Sequence, residues 1–535
     1  MIIDPSRRRR RGLIAAGLLA LALAGGAGLI GRQEFAGAAA NISYDTGAGL
    51  TFMINSTNGN LTSLKHHGTE LAAPGQAAGQ FQSGWRSATV TSRTFGNGAI
   101  LVTAANPGIG VTMYYYARRN DNKIYIATDI TKALNPGEAR FIARLKSSVL
   151  TTSPVAARTA GSTSTVEGSD VFAFADGRTA SKFYSSQRMV TQQSFGASGP
   201  GHGVYIVPGT HEMSSGGPFF RDIEVNDTGG AVNLTHYMFS GHQQTEPLRL
   251  GLHGPYALAV TDGPRPAGQS LDFLAGVIPG LLANARRGGV TGTAGGSWGG
   301  SRATVGLAGP NGQYWAPVKG GKFVIGHIRP GTYTATLYAG ELAVGTPSTL
   351  AVTAGATTPL TLTGSVPAAG TLLQLGAFDG TPAGFRNADK IETMHPSDVR
   401  MASWTAAATP ADFPMAAFKS VNSPIALNFP LTTVPPGGVR LRIATTGGFA
   451  GGRPAVAIGG FRSPASASPP PADLNSRGVT RGTWRGVNHT YTFTVPASAL
   501  RTGTNTLSIS VLSGSSGATF LSPNFVFDAI ALDPA

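Results

Sequence analysis

Four short stretches between residues 41 and 287 carry side chains able to act on an acidic ligand. "KFYSSQRMV" sets Lys182 and Arg188 among aromatics and serines, with no acidic residue inside it. "GEARFIARL" carries Arg140 and Arg144. Four positions apart on a strand, they share one face at about 13 Å between Cα atoms. "SSGGPFFRDI" makes a tight Gly216-Gly217-Pro218 turn before Arg221 and Asp222, and "HYMFSGHQQTE" holds His236, Tyr237, His242 and Glu246. Each stretch has an ordinary reading by itself. Strand arginines are mostly solvated, a lone lysine is mostly exposed, and a glycine turn beside phenylalanines is commonly a packed corner. Their complementarity within one block suggests a site for an acidic sugar.

These residues need rigid elements beneath them, and the pattern of the chain supplies strands. "TMYYYARRNDNKIYIATDIT" alternates on both sides of the "RNDNK" turn and reads as a hairpin. The 535 residues include 74 Gly and 35 Pro with only 13% charged side chains, and long helical periodicity is hard to find after residue 40. An all-β chain of several sandwiches follows, too long for one core. Residues 41–287 read as a large, many-stranded sandwich that carries the chemistry. Residues 288–365 open at "GGVTGTAGG", turn at Pro330-Gly331, and read as a small fibronectin type III-like spacer. Residues 366–535 suit a jelly roll of the carbohydrate-binding kind, with a polar loop at "SPASASPPPADLNSRG". Pro469 to Pro471 keep that loop out of a central strand.

Residues 1–40 combine "SRRRRRG", the apolar run "LIAAGLLALALAGGAGLIG" and the small-residue exit "AGAAA", the layout of an export signal. No later run is long and apolar enough to span a bilayer. The expected product is a secreted protein with no stable membrane association once processed. With no cysteine it must be held by burial rather than disulfides. The formal charge is +15; residues 1–40 carry six Arg against Asp4 and Glu34, a net +4, which leaves +11 for the rest. Dispersed basic charge without a nucleic-acid motif favours an acidic polysaccharide partner over nucleic acid.

The first block resembles the catalytic domain of the rhamnogalacturonan lyases of polysaccharide lyase family 4, and the order of the three blocks matches that family. The resemblance rests on "YYYARRNDNKIYIATDI", "GEARFIARL", "KFYSSQRMV", "SSGGPFFRDI" and "SGHQQTE". It continues in "FDGTPAGFRNADKIETMHPSDVRM" and "SRGVTRGTWRGVNHTYTF". It implies a large galactose-mutarotase-like β-sandwich, a fibronectin type III-like sandwich and a carbohydrate-binding-like jelly roll. The activity implied is cleavage of the rhamnose–galacturonate backbone of pectin by β-elimination; a monomer that needs no cofactor for catalysis is expected. Lys182 and His242 fall on the family's catalytic lysine and histidine, Arg140 and Arg144 on its substrate arginines. Tyr237 and Glu246 lie in the histidine's motif and are expected to contact substrate. Thr235 stands where the family pattern has a tyrosine.

β-Elimination removes H5 of the galacturonate and expels the substituent at O4 from the opposite face of the ring. Base and acid must then stand on opposite sides. Lys182 as base with His242 as acid meets that demand, and the reverse assignment is its nearest rival. A lysine at its ordinary pKa needs about 4.6 kcal/mol to be neutral at pH 7. Burial against Phe183 and Tyr184, and the charges of Arg140, Arg144 or Arg188, are expected to reduce that cost. No catalytic metal is expected. Asp379, Asp389 and Asp528 are candidates for a structural calcium in the last block. Two other readings fit the same residues: a lyase for another uronic-acid polymer such as polygalacturonate, and a non-catalytic carbohydrate-binding surface protein.

Overall fold

The structure is a computed structural model. It describes residues 41–535 apart from 83, 84, 86, 135–137, 155, 168, 169, 229, 241–245, 406, 466, 467, 469–474, 485 and 486. Both the export-signal stretch and Pro469 to Pro471 lie outside the described residues.

Two sheets of the first block enclose one core. A four-stranded sheet runs in the order Val225–Thr228, Ala231–Ser240, Glu138–Lys146, Gln80–Gln82. A seven-stranded sheet includes His202–Pro208, Gly251–Thr261, Lys123–Ile130 and Val111–Ala117 as neighbours. Phe141 from the first sheet meets Tyr256 from the second at 5.8 Å between ring centroids. The expected "RNDNK" hairpin forms, with Tyr116 opposite Tyr125 and Asn120 in the left-handed conformation at φ 57°. Its "MYYY" run is continuous rather than alternating because both faces are covered. Tyr115 enters the inter-sheet core, while Tyr114 and Tyr116 pack under Leu271, Leu274 and Ile278.

On Glu138–Lys146 the two-residue period divides the side chains cleanly. Ala139, Phe141, Ala143 and Leu145 enter the core. Arg140 and Arg144 therefore share the outer face, and Tyr237 lies opposite Arg140 on the next strand. The site stands on that outer face.

The middle block folds as a three-stranded and a four-stranded sheet around Val290, Leu307, Phe323 and Tyr333. The last block packs two five-stranded sheets around Leu427, Ile443, Ile509 and Phe527. The chain is all-β, as expected.

Two loops of the last block reach back onto the first. Asp398 accepts hydrogen bonds from the Thr179 backbone N–H at 2.6 Å and hydroxyl at 2.7 Å, and Arg400 donates to the Thr179 carbonyl at 2.8 Å. The Ser181 N–H donates to the Thr393 carbonyl at 3.1 Å, and its hydroxyl to the Arg481 carbonyl at 2.5 Å. Gly482 lies against Ser181 at φ +83°, where a Cβ would stand 2.4 Å from the serine Cβ; conformation and contact both require glycine there. The strand end that delivers Lys182 is thus fastened by another module.

Candidate active site

Lys182 opens a 3-10 turn, Lys182–Ser185, whose N-cap is Ser181; the Ser181 hydroxyl accepts from the Phe183 N–H at 3.1 Å. At the other end, the Ser185 hydroxyl donates to the Val225 carbonyl at 2.9 Å, which fixes the turn to the edge of the four-stranded sheet. The following "SQRMV" segment is held by buried Glu224, which accepts from the Gln187 side chain at 2.9 Å and from Gln192 at 2.6 Å. Burial pushes that carboxyl up to about 8.

The lysine is only 5% exposed, and its Nζ lies 5.1 Å from the centroid of Phe172. Burial is the main reason its pKa lies below the ordinary value; Asp170 and Asp227 oppose the shift and Arg140 adds to it. Of the three arginines expected to act on Lys182, only Arg140 does. Arg188 is turned away, paired with Glu341 of the middle block and with Glu392 of the last. Phe172, which the sequence motifs do not single out, supplies the ring beside Nζ.

Arg140 is heavily engaged. It donates to the Tyr237 hydroxyl at 2.9 Å and to Gln82 at 3.0 Å, and pairs with Glu138 at 2.6 Å. Arg144 differs. Its guanidinium is half-buried, with no hydrogen-bond or ion-pair partner among the described residues. Burial first, and then the charge of Arg140, hold its pKa below the usual arginine value. A half-buried cation of this kind is pre-set for an anion, and a planar fork suits a carboxylate. Tyr237 is buried against Met189 and Phe220.

Around the lysine stand charges that the sequence motifs did not single out. Asp170 gives its backbone carbonyl to the Lys182 N–H at 3.0 Å and its carboxylate to Arg481 at 3.0 Å. Asp222 is buried, accepts from the Ile223 N–H at 2.7 Å, and is pushed up to about 6 by burial. Glu138 is also raised by burial, against the pull of Arg140. Glu138 belongs to "GEARFIARL" and Asp222 to "SSGGPFFRDI". Arg481 lies about 300 residues from Lys182 in a module read as carbohydrate-binding, so no local signal tied it to the site.

Three other residues take different places. His242 lies outside the described residues. Glu246 is not brought to Lys182: it pairs with Arg249 at 2.6 Å, caps the Gly216 N–H, and lines a cleft with Gln313, Trp315 and Tyr338 of the middle block. His236 is a core ring, stacked on Tyr256 at 4.0 Å between centroids. Thr235 is buried on the same face as Tyr237, its hydroxyl unpartnered among the described residues.

The last block adds a wall to the site. Trp484 lies under two guanidiniums, Arg188 at 5.4 Å and Arg221 at 5.0 Å. Arg221 also meets Glu392 at 2.5 Å and the Thr483 hydroxyl at 2.5 Å. Trp404 is a packing residue against Phe418 and Phe520.

Family models match most of the described chain. The model for the N-terminal domain of rhamnogalacturonan lyase B matches residues 35–277; those for domains II and III of polysaccharide lyase family 4 match 286–360 and 371–532. The rhamnogalacturonate lyase A of Emericella nidulans is 43% identical over 495 residues, 90% of this chain and 92% of its own. That of Aspergillus aculeatus is 42% identical over 496 residues, with the same coverage of each. The chain belongs to polysaccharide lyase family 4. The lyase thus carries its Lys182 cluster on the domain that matches the N-terminal model. The loops that fasten Thr179 and Ser181, by contrast, come from the domain that matches domain III, which sits on the surface that carries Lys182 rather than apart from it. Among the described residues of the lyase, no helix is long and apolar enough to cross a membrane.

Proposed function

We propose that the lyase cleaves the rhamnose–galacturonate backbone of rhamnogalacturonan I by β-elimination, with Lys182 as base and His242 as acid. The observation that carries this reading is the buried Lys182, its pKa lowered mainly by burial, together with Arg144, which has no counter-ion among the described residues. Arg144 holds the galacturonate carboxylate, with Arg140 beside it, and spreads the charge that develops when C5 loses its proton. Neutral Lys182 takes H5. The C4–O4 bond breaks as the C4–C5 double bond forms, and His242 supplies the proton to the departing oxygen. A positioned base contributes ~10²–10⁴ in rate and a carboxylate-stabilising donor ~10²–10³. The direction of the lysine shift favours it as base over the reverse assignment, in which it would have to be protonated.

These steps call on no cofactor. Tyr237 orients Arg140 through its hydroxyl, while Glu246 shapes the cleft toward the middle module. We place the working enzyme outside the cell as a monomer, released by a signal in residues 1–40 and built from modules 41–287, 288–365 and 366–535. A structural calcium in the last module would use Asp379 and Asp528. One Asp528 oxygen is buried and unpartnered among the described residues, whereas Asp389 is exposed.

Ultraviolet absorbance during incubation with rhamnogalacturonan, with polygalacturonate alongside, tests the reading. The conjugated double bond must make absorbance rise on rhamnogalacturonan, and Lys182→Ala must abolish the rise. A rise on polygalacturonate alone would move the substrate to plain uronate polymer. A flat trace on both would leave a binding protein.

A further inference from the structure

Away from the lyase site, three chain segments bring imidazoles and a carboxylate together. His66 ends the strand Leu61–His66, and His67 follows in a turn at φ 48°. Asp262 comes directly after the strand Gly251–Thr261, and His202 begins His202–Pro208. Among the described residues this is the one place where three His, Cys, Asp or Glu side chains offer ligand atoms within 4.8 Å of one another: His66, His67 and Asp262.

The geometry points to a binding site for one divalent transition ion of the zinc class, held by His66 Nε2, His67 Nε2 and the Asp262 carboxylate. Asp262 Oδ1 stands 3.1 Å from His67 Nε2 and 3.5 Å from His66 Nε2. Zinc bonds of ~2.0–2.2 Å in a tetrahedron place ligand atoms about 3.3 Å apart, so both spacings fit. His66 is 0% exposed, and its Nε2 is buried with no hydrogen-bond partner among the described residues. Its other nitrogen lies 3.1 Å from His202 Nδ1, and the ring also has a hydrogen bond to the Gly201 backbone. The tautomer with its proton on Nδ1 donates to His202 Nδ1 and leaves the Nε2 lone pair facing the Asp262 oxygen. Two electron-rich atoms opposed in this way call for a cation between them. Second-sphere anchoring of a ligating histidine through its other nitrogen is the usual support for such a site.

Gly49 makes room for the second ligand, since a Cβ there would lie 2.5 Å from the His67 ring. Two imidazoles and one carboxylate suit zinc, copper or nickel, whereas calcium and magnesium require oxygen ligands. Asp262 is 78% exposed in its side chain, which leaves the fourth position to water. The ion would tie the hairpin turn after His66 to the end of a strand of the seven-stranded sheet, 195 positions further along the chain.

The test uses the untagged full chain, stripped with chelator and kept in excess Ca2+ so that all-oxygen sites are saturated. Zn2+ is then titrated by calorimetry and followed by thermal melting. We expect one equivalent to bind and raise the melting temperature. His67→Ala and Asp262→Asn, both at exposed positions, should each weaken binding at least about tenfold while the lyase rate stays unchanged. Co2+ in place of zinc should give the visible bands of a four-coordinate ion in the wild type only. Absence of saturable Zn2+ binding, or binding of equal affinity in both variants, overturns the assignment.

Discussion

Arg481 of the last module and Asp170 of the first form an ion pair of 3.0 Å, and the Asp170 carbonyl receives the Lys182 N–H. The pair crosses the module boundary, so the charge beside Lys182 is set by two domains. Asp170 raises the lysine pKa and burial lowers it. Arg481 pulls Asp170 downward, against its burial, and partly cancels the field that Asp170 exerts.

The sign of two substitutions follows. Arg481→Ala leaves Asp170 uncompensated, so the lysine holds its proton to higher pH and the rising limb of the kcat/KM profile moves up. Asp170→Asn removes the opposing charge, and the same limb moves down. Profiles that shift together, or not at all, would remove Lys182 from the role of base.

The two strand arginines should separate. Arg144 has no partner to lose among the described residues, so Arg144→Ala is expected to reduce kcat/KM by ~10²–10³ with the pH limb unmoved. Arg140 acts on Lys182 and holds Tyr237, so Arg140→Ala should lower the rate and also move the limb upward. Steady-state kinetics of both variants across pH decide this.

Much of this arrangement is legible in the sequence. The two-residue period of "GEARFIARL" placed Arg140 and Arg144 on one face, and the turn residues of "RNDNK" marked the hairpin. What could not be read was long-range. The sequence presents Lys182 without an acid inside its own stretch, yet the pairing of Val171–Ala173 with Thr179–Ser181 brings Asp170 to it, and Arg481 arrives from a loop of another fold. "SRGVTRGTWRG" has the glycines of a surface loop, and nothing local in it says that Gly482 must lie against Ser181. Arg188 misleads for the same reason, since its carboxylate partners Glu341 and Glu392 come from two other modules.

Glu246 offers a contrast within the first module. Its carboxylate binds Arg249, whose side chain is nearly buried, and caps Gly216 at the turn before Arg221. Glu246→Ala should therefore destabilise the fold by about 1.5–3 kcal/mol, the range for hydrogen bonds to charged groups. The pH limb of the surviving activity should stay in place, because Glu246 does not act on Lys182. Denaturant melts read the first effect and the pH profile the second. A shifted limb with unchanged stability would put Glu246 in the catalytic machinery instead.

The clamp on the Lys182 strand should itself respond to acid. Burial opposes ionisation of Asp398, but hydrogen bonds from Arg400 and Thr179 outweigh it and hold the carboxyl at about 2. Its folded pKa is thus depressed below the ordinary 3.8. A depressed carboxylate contributes stability that is full above the unfolded value and lost as pH falls through the folded one. The window is therefore pH 4 to 2, with the wild type losing the contribution on acidification. Asp398→Asn lacks it throughout. The variant should melt lower than wild type at pH 6, and the gap should narrow between pH 4 and pH 2. It should also lose lyase rate at pH 6, since Thr179 no longer holds the strand that presents Lys182. A melting gap of constant size from pH 6 to pH 2 would show that the ionised Asp398 does not secure the clamp.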